Sequence, residues 1–268
     1  MAVIALTSAR GAPGVTTTAL ALTMCWPRPV LLIEADVSGS SSILAGYLGG
    51  ARPHDKGLVD LAVAHRAGRL FDGLRAASID LPGGKKWLLP ALATPLQAAS
   101  LRPVWEPLAA ILSGLEAQGM DIIVDAGRLG TEHAPQSLLR SADVAALVTR
   151  STLPAISATR ARARVRADDL RQQGTGSDGL GLLVVGEGMP YSAAEITGAV
   201  ELPVLASISW DPVHAQAVRL GTSTRKLDSS ALTRSVTAAA GALQQLATDR
   251  RARLAPGALL HQNGRAHA

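Results

Sequence analysis

An apolar run, Ala2–Leu6, leads into Ser8-Ala9-Arg10-Gly11-Ala12-Pro13-Gly14-Val15-Thr16-Thr17-Thr18, and the apolar-rich Ala19-Leu20-Ala21-Leu22 follows. This order predicts a strand, a glycine loop and a helix. Such a unit aims the loop N–H groups and the positive end of the helix dipole at one spot, which makes an anion cradle. Gly11 and Gly14 let the backbone curl where a Cβ would obstruct it. Thr16 stands where a phosphate-loop hydroxyl would meet Mg²⁺. The lysine expected just before it is replaced by Val15.

Beyond this unit, apolar runs alternate with helical patterns. Strands are expected at Val30–Ile33, Lys86–Leu89, Asp121–Asp125, Val144–Thr149, Leu180–Val185 and Val204–Ile208. Helices are expected at Leu58–His65, Leu70–Ala77, Pro103–Gln118, Pro154–Gln173 and Ser229–Arg253, with a flexible loop at Gly174–Gly179. Strands alternating with helices imply an α/β fold of three layers, a doubly wound, mostly parallel sheet with helices on both faces. Ligands of such sheets sit beyond the carboxyl ends of the strands. The first loop, Asp36 and Asp125 all lie at such ends. One domain is expected over residues 1–253. Residues 254–268 read as a disordered tail, because Pro256 and Gly257 interrupt any helix and His261–Ala268 is polar.

Composition narrows the function. The chain has 268 residues, 47% of them hydrophobic, yet no apolar run approaches the ~18 residues of a membrane span. No basic segment with an apolar stretch opens it, so no signal peptide is expected. Cys25 is the only cysteine, which excludes an internal disulfide and fits a cytoplasmic location. The net charge of +5 is modest, and aromatics are 3% of residues, too few for a platform that stacks single-stranded nucleic acid. The six histidines show no metal-ligand spacing, and no Gly-x-Ser-x-Gly elbow is present. Gly83-Gly84-Lys85-Lys86 lacks phosphate-loop spacing and reads as a hairpin turn.

Three segments converge in order and spacing: the loop at residues 10–17, Glu34-Ala35-Asp36, and Asp125-Ala126-Gly127. On these the chain resembles the ParA/MinD family of deviant P-loop ATPases, whose loop reads Lys-Gly-Gly-x-Gly-Lys-Thr-Thr. That family has Asp-x-Asp after its second strand and a Walker B strand ending in Asp. Gly57-Leu58-Val59-Asp60-Leu61 and Leu89–Pro95 are similar to stretches of the pilus-localising TadZ/CpaE branch, and residues 180–221 to the family's nucleotide-base loops. The resemblance implies ATP and Mg²⁺ as ligands, held by Arg10, Gly11, Ala12, Pro13, Gly14, Val15, Thr16 and Thr17. It implies Thr16 and Asp125 as metal-binding residues and Asp36 as the residue that positions or activates water. Read without it, Asp36 is a loop acid beside Ser38 and Asp125 a solvated acid ending a strand.

Departures from the family pattern carry equal weight. The lysine at the position of Val15 contacts the β- and γ-phosphates in that family, and valine offers no charge. Removing one partner of a desolvated charge pair costs about 2–5 kcal/mol, roughly 30-fold to several thousand-fold in affinity. Pro13 removes one backbone donor. Arg10 stands where the family's signature lysine reaches across a dimer, and its forked guanidinium supports a similar contact with different geometry. Gly186 stands where the family often has an adenine-reading asparagine.

Two readings follow. In one, the chain is a positioning or scaffold protein with a degenerate loop that binds ATP weakly or not at all and marks a pilus, secretion or chromosome site. In the other, Arg10 replaces the lost lysine in a slow, dimeric ATP-dependent switch that holds DNA or a cargo protein. Both imply a homodimer. At about 100° per residue, Arg160, Arg164 and Arg171 form one stripe that could meet DNA phosphates; Arg162 and Arg166 fall opposite, and Asp168 and Asp169 offer the arginines local partners instead. Arg250, Arg251 and Arg253 alone would give only weak, salt-sensitive membrane contact.

Overall fold

The computed structural model describes residues 2–10, 14–115, 119–223 and 227–254. Its eight-stranded sheet is built from continuous apolar runs. β1 (Val3–Ser8) is central, with β5 (Asp121–Arg128) on one side and β6 (Val144–Arg150) on the other. β2 (Val30–Glu34) and β4 (Lys86–Leu89) extend the first side, and β7 (Leu180–Val185) and β8 (Val204–Ile208) the second. All these pairings are parallel. β3 (Ile79–Asp80) adds an antiparallel edge to β4 through the expected Gly83-Gly84 hairpin turn, where both glycines have positive φ.

Side chains alternate faces along each strand, so every strand feeds two cores. Val3, Ala5, Ile122 and Val124 enter one core with α2 (Leu58–Arg66), α3 (Leu70–Ala77), α4 (Trp105–Gly114), α5 (Gln136–Ser141), α6 (Leu153–Gln173) and α7 (Ala193–Val200). Ile4, Leu6, Ile123 and Val144 enter the other with α1 (Val15–Cys25), α8 (Pro212–Leu220) and α9 (Ala231–Leu254). Coverage on both faces explains why the strands read as unbroken apolar runs. The expected Pro103–Gln118 helix is shorter, Trp105–Gly114, because residues 102–104 form a turn first. The expected Ser229–Arg253 helix runs Ala231–Leu254, after a short 3₁₀ turn at Leu227–Ser229. Of residues 254–268, read as a tail, Leu254 instead ends this helix, and 255–268 lie outside the described residues.

Buried polar groups fasten the amino-terminal edge of the sheet. The Asp121 carboxylate accepts from Ala2 N at 2.7 Å and Trp26 Nε1 at 2.8 Å. Asp143 accepts from Val3 N and from Arg251 Nε. Arg250, grouped above with its neighbours as a solvent-facing cation, is 1% exposed. Its guanidinium donates to the carbonyls of Ala142, Asp143, Thr175 and Gly176 and to Asp178 Oδ1. Charge and hydrogen bonding are both satisfied there, so the burial is tolerated. With this edge closed, the carboxyl edge is left for the loops. Strand order reverses about β1, which opens a crevice at its end.

Candidate functional site

A cleft of about 670 Å³ opens at that crevice, lined by Gly14, Thr16, Thr17, Asp36 and Gly127 among others. Gly14 has φ 96° and precedes the first turn of α1, a left-handed conformation that favours glycine. The turn directs α1 so that Thr16 reaches Asp125, whose carboxyl group it hydrogen-bonds. Asp125 lies in the carboxyl-terminal part of β5, 1% exposed, and its Oδ1 also accepts from Gly127 N at 3.0 Å. Burial pushes its pKa up to about 6; the bonds from Thr16 and Gly127 pull it down, and the Asp36 charge adds to the rise.

Asp36 is half-buried and lines the same cleft, its Oδ1 accepting from Ser38 N at 2.9 Å. That is the loop-acid geometry, and it also fixes the carboxylate at the cleft. Gly127 governs the approach: its φ is 61°, and a Cβ there would lie 2.3 Å from Asp36 Cγ. Glu34 does not face the cleft as Asp36 does. It is 3% exposed, takes a hydrogen bond from Ser41 Oγ, and lies 3.4 Å from Ile43 N and Ala91 N. Burial pushes its pKa up to about 7, against the pull of Ser41. The first acid of the Glu34-Ala35-Asp36 run therefore ties the following loop to the end of β4.

Val15 is 7% exposed and packs in the core of the α1 face while also bordering the cleft. Arg10 is exposed and does not border the cleft. Gly11, Ala12 and Pro13 lie outside the described residues. Thr16, Asp36 and Asp125 are thus brought together as anticipated. Thr16 and Asp125 carry oxygen donors of the hard kind that would suit a Mg²⁺ ion. Among the described residues no group of three or more His, Cys, Asp or Glu could hold a metal by itself.

A second cavity of about 300 Å³ shares Gly14 and Thr17 with the cleft and is lined by Val185, Ile208, Trp210 and Pro212. The Arg150 guanidinium stacks on Trp210, 3.6 Å from the ring centroid. Trp210 also explains Gly186: φ is 76° there, and a Cβ would lie 3.1 Å from Trp210 Cβ. Two arginines absent from the sequence reading border the main cleft, Arg128 at the end of β5 and Arg219 in the last turn of α8. Neither sits in a motif, so only the fold could have revealed them. On α6, Arg160 and Arg164 are exposed, while Arg171 is exposed but paired with Asp168. Arg162 and Arg166, placed together on the opposite side, separate. Arg162 lies over Gly130, and Arg166 is 5% exposed and paired with Asp169.

Where the parallel sheet reverses order beside β1, Thr16, Asp125 and Asp36 therefore stand together at one crevice. No family model matches the sequence, and a search of curated proteins finds no relative. Solved structures do match. MinD from Pyrococcus horikoshii, a septum site-determining protein complexed with Mg-ADP, superposes with TM-score 0.71 at 20% identity, covering 93% of this chain and 98% of that one. The MinC:MinD cell division complex of Aquifex aeolicus gives 0.68 at 18%, covering 91% and 96%. A ParA family ATPase from Chlorobium tepidum gives 0.66 at 16%, covering 89% and 98%. The chain has the fold of the MinD and ParA-family ATPases. Among the described residues no helix is long and apolar enough to cross a membrane.

Proposed function

We propose that this chain is a MinD/ParA-like positioning or partitioning protein whose phosphate loop has lost part of its grip. It acts in the cytoplasm as a homodimeric scaffold that localises a pilus or secretion apparatus or a chromosome locus. The observation that carries this reading is Val15. Its side chain packs into the core at the one position where the resembling family places a phosphate-binding lysine. Phosphoryl transfer requires dense positive charge on the transferring group, and this position supplies none. Turnover is accordingly slow or absent.

The Thr16–Asp125 bond and the placement of Asp36 support a second reading, an ATP-dependent switch that keeps its metal and water-positioning residues. In that reading Arg10 acts across the dimer, Thr16 and Asp125 hold Mg²⁺, and the ATP-bound pair holds cargo or, through Arg160, Arg164 and Arg171, DNA. Direct titration separates the two. Under the scaffold reading, about 1 mM ATP with Mg²⁺ raises Tm by less than about 2 °C, because stabilisation follows ligand concentration over Kd. A larger rise, abolished by both Asp125→Ala and Gly14→Val, refutes it in favour of the switch.

A further inference from the structure

The cleft lacks the loop lysine, yet it is not without cations. Arg128 follows Gly127 directly, and its carbonyl accepts from Thr131 Oγ1 at 2.9 Å, which fixes the turn. Arg219 comes from α8, remote in sequence, and borders both the main cleft and the smaller cavity beside it. Both side chains are exposed, and neither guanidinium has an ion pair or hydrogen bond among the described residues. Other arginines around the sheet are engaged: Arg140 with Asp169, Arg171 with Asp168, Arg250 with Asp178 and Arg251 with Asp143.

The backbone of Arg219 is held in place. A Cβ on Gly46 would lie 2.5 Å from Arg219 O, and one on Gly221 would lie 2.0 Å from Tyr47 O. The last turn of α8 therefore sits directly on the π-helical turn Ile43–Tyr47, which follows Asp36 and the Ser38–Ser42 loop. Two unspent guanidinium groups thus border one cavity, one of them also bordering the smaller cavity where Gly14 and Thr17 are shared. A guanidinium offers a planar fork of donors that matches phosphate oxygens.

We propose that the phosphate affinity of this cleft comes from Arg219 and Arg128, which together take the place of the missing loop lysine. The ligand class is a polyphosphate, either the phosphate chain of a nucleotide or free pyrophosphate. This inference rests on the reading of the cleft as a phosphate site. It assigns the charge to two elements outside the loop and removes Arg10 as the compensating residue within one protomer.

The test is calorimetric titration of the full chain with ATP and, separately, pyrophosphate, at about 50 mM and 200 mM salt. Arg219→Ala and Arg128→Ala should each weaken both ligands by about tenfold, and the double variant by about a hundredfold. Arg219→Lys should recover part of the loss. Arg75→Ala, which removes an exposed charge from α3, should match the unaltered chain. Equal losses for the two ligands assign the contact to phosphate; a loss for ATP alone overturns that assignment. Affinities within twofold of the unaltered chain in the double variant, with Thr16→Ala still abolishing binding, overturn the inference and leave the cleft reading intact. Binding abolished by Arg10→Ala but untouched by the double variant does the same. No binding of either ligand to the unaltered chain defeats both. Melting temperatures of the variants, expected unchanged at exposed positions, separate lost contacts from lost folding.

Discussion

Restoring the lysine, Val15→Lys, should move stability and affinity in opposite directions. Val15 is 7% exposed and shares a core with Leu6, Ala19 and Leu20. Full burial of a valine contributes about 1.5–2 kcal/mol. Part survives in a lysine whose aliphatic stem follows the wall while its ammonium emerges into the cleft that Val15 borders. The unliganded variant should therefore lose about 1–2 kcal/mol, a fall in Tm of about 2–8 °C for a domain of this size. An ammonium within reach of phosphate regains about 2–3 kcal/mol in binding, roughly 30- to 150-fold. At an ATP concentration near the original Kd, ligand stabilisation is about 0.4 kcal/mol. A hundredfold tighter site raises it to about 2.7 kcal/mol. The assay is thermal denaturation of both proteins with and without ATP and Mg²⁺. A variant that melts lower without ligand and gains a several-degree ATP response supports the geometry. An unchanged ligand-free Tm together with no added ATP response would refute both the packing of Val15 and its place in the phosphate path.

Three further expectations follow from the described contacts. Gly127→Ala should cost about 1–2 kcal/mol for its left-handed φ and must also push the Asp36 carboxylate aside, so chemical denaturation and ATP titration should both register it. Glu34 binds a proton more tightly in the folded chain, with a pKa of about 7 against an ordinary 4.5, so stability should fall as pH rises from about 4.5 to about 7. The corresponding contribution is roughly 3 kcal/mol, and Glu34→Gln, neutral throughout and still able to meet Ser41, should reduce the slope measured by urea melts across that range, leaving the part that Asp125, raised to about 6, contributes. Arg250→Ala should cost about 3–5 kcal/mol by stranding several buried carbonyls and Asp178, whereas Arg253→Ala, 59% exposed, should change stability by less than about 0.5 kcal/mol; equal effects would defeat the assignment.

Unlike the two-residue edge strand β3, which is partly exposed and carries no such run, the inner strands β1, β2, β5, β6 and β7 were legible because each is buried on both faces and so carries an unbroken apolar run. α5, α7 and α8 were not. They are six to nine residues long, and their positions depend on tertiary contacts such as Ser192 capping Glu195 N and Asp211 capping His214 N. Thr16, Asp36 and Asp125 could be found because each closes or follows a strand that the sequence marks. Arg128 and Arg219 could not, since their relation exists only once β5 and α8 converge. Arg250 misled for a related reason. Beside Arg251 and Arg253 it reads as one more surface charge, and most of its acceptors are main-chain carbonyls, which carry no sequence signature. Glu34 looked interchangeable with an aspartate, but one extra methylene lets it reach Ser41 and the β4 end.

The contacts at Gly46 and Gly221 have a mechanical consequence. Main chain meets main chain at both points, so no change of rotamer can let the two segments slip past each other. The turn at 43–47 and the end of α8 must move as a single block. That block carries Gly46, which lines the main cleft, and Arg219, which lines both cavities, so the two chambers share one piece of wall.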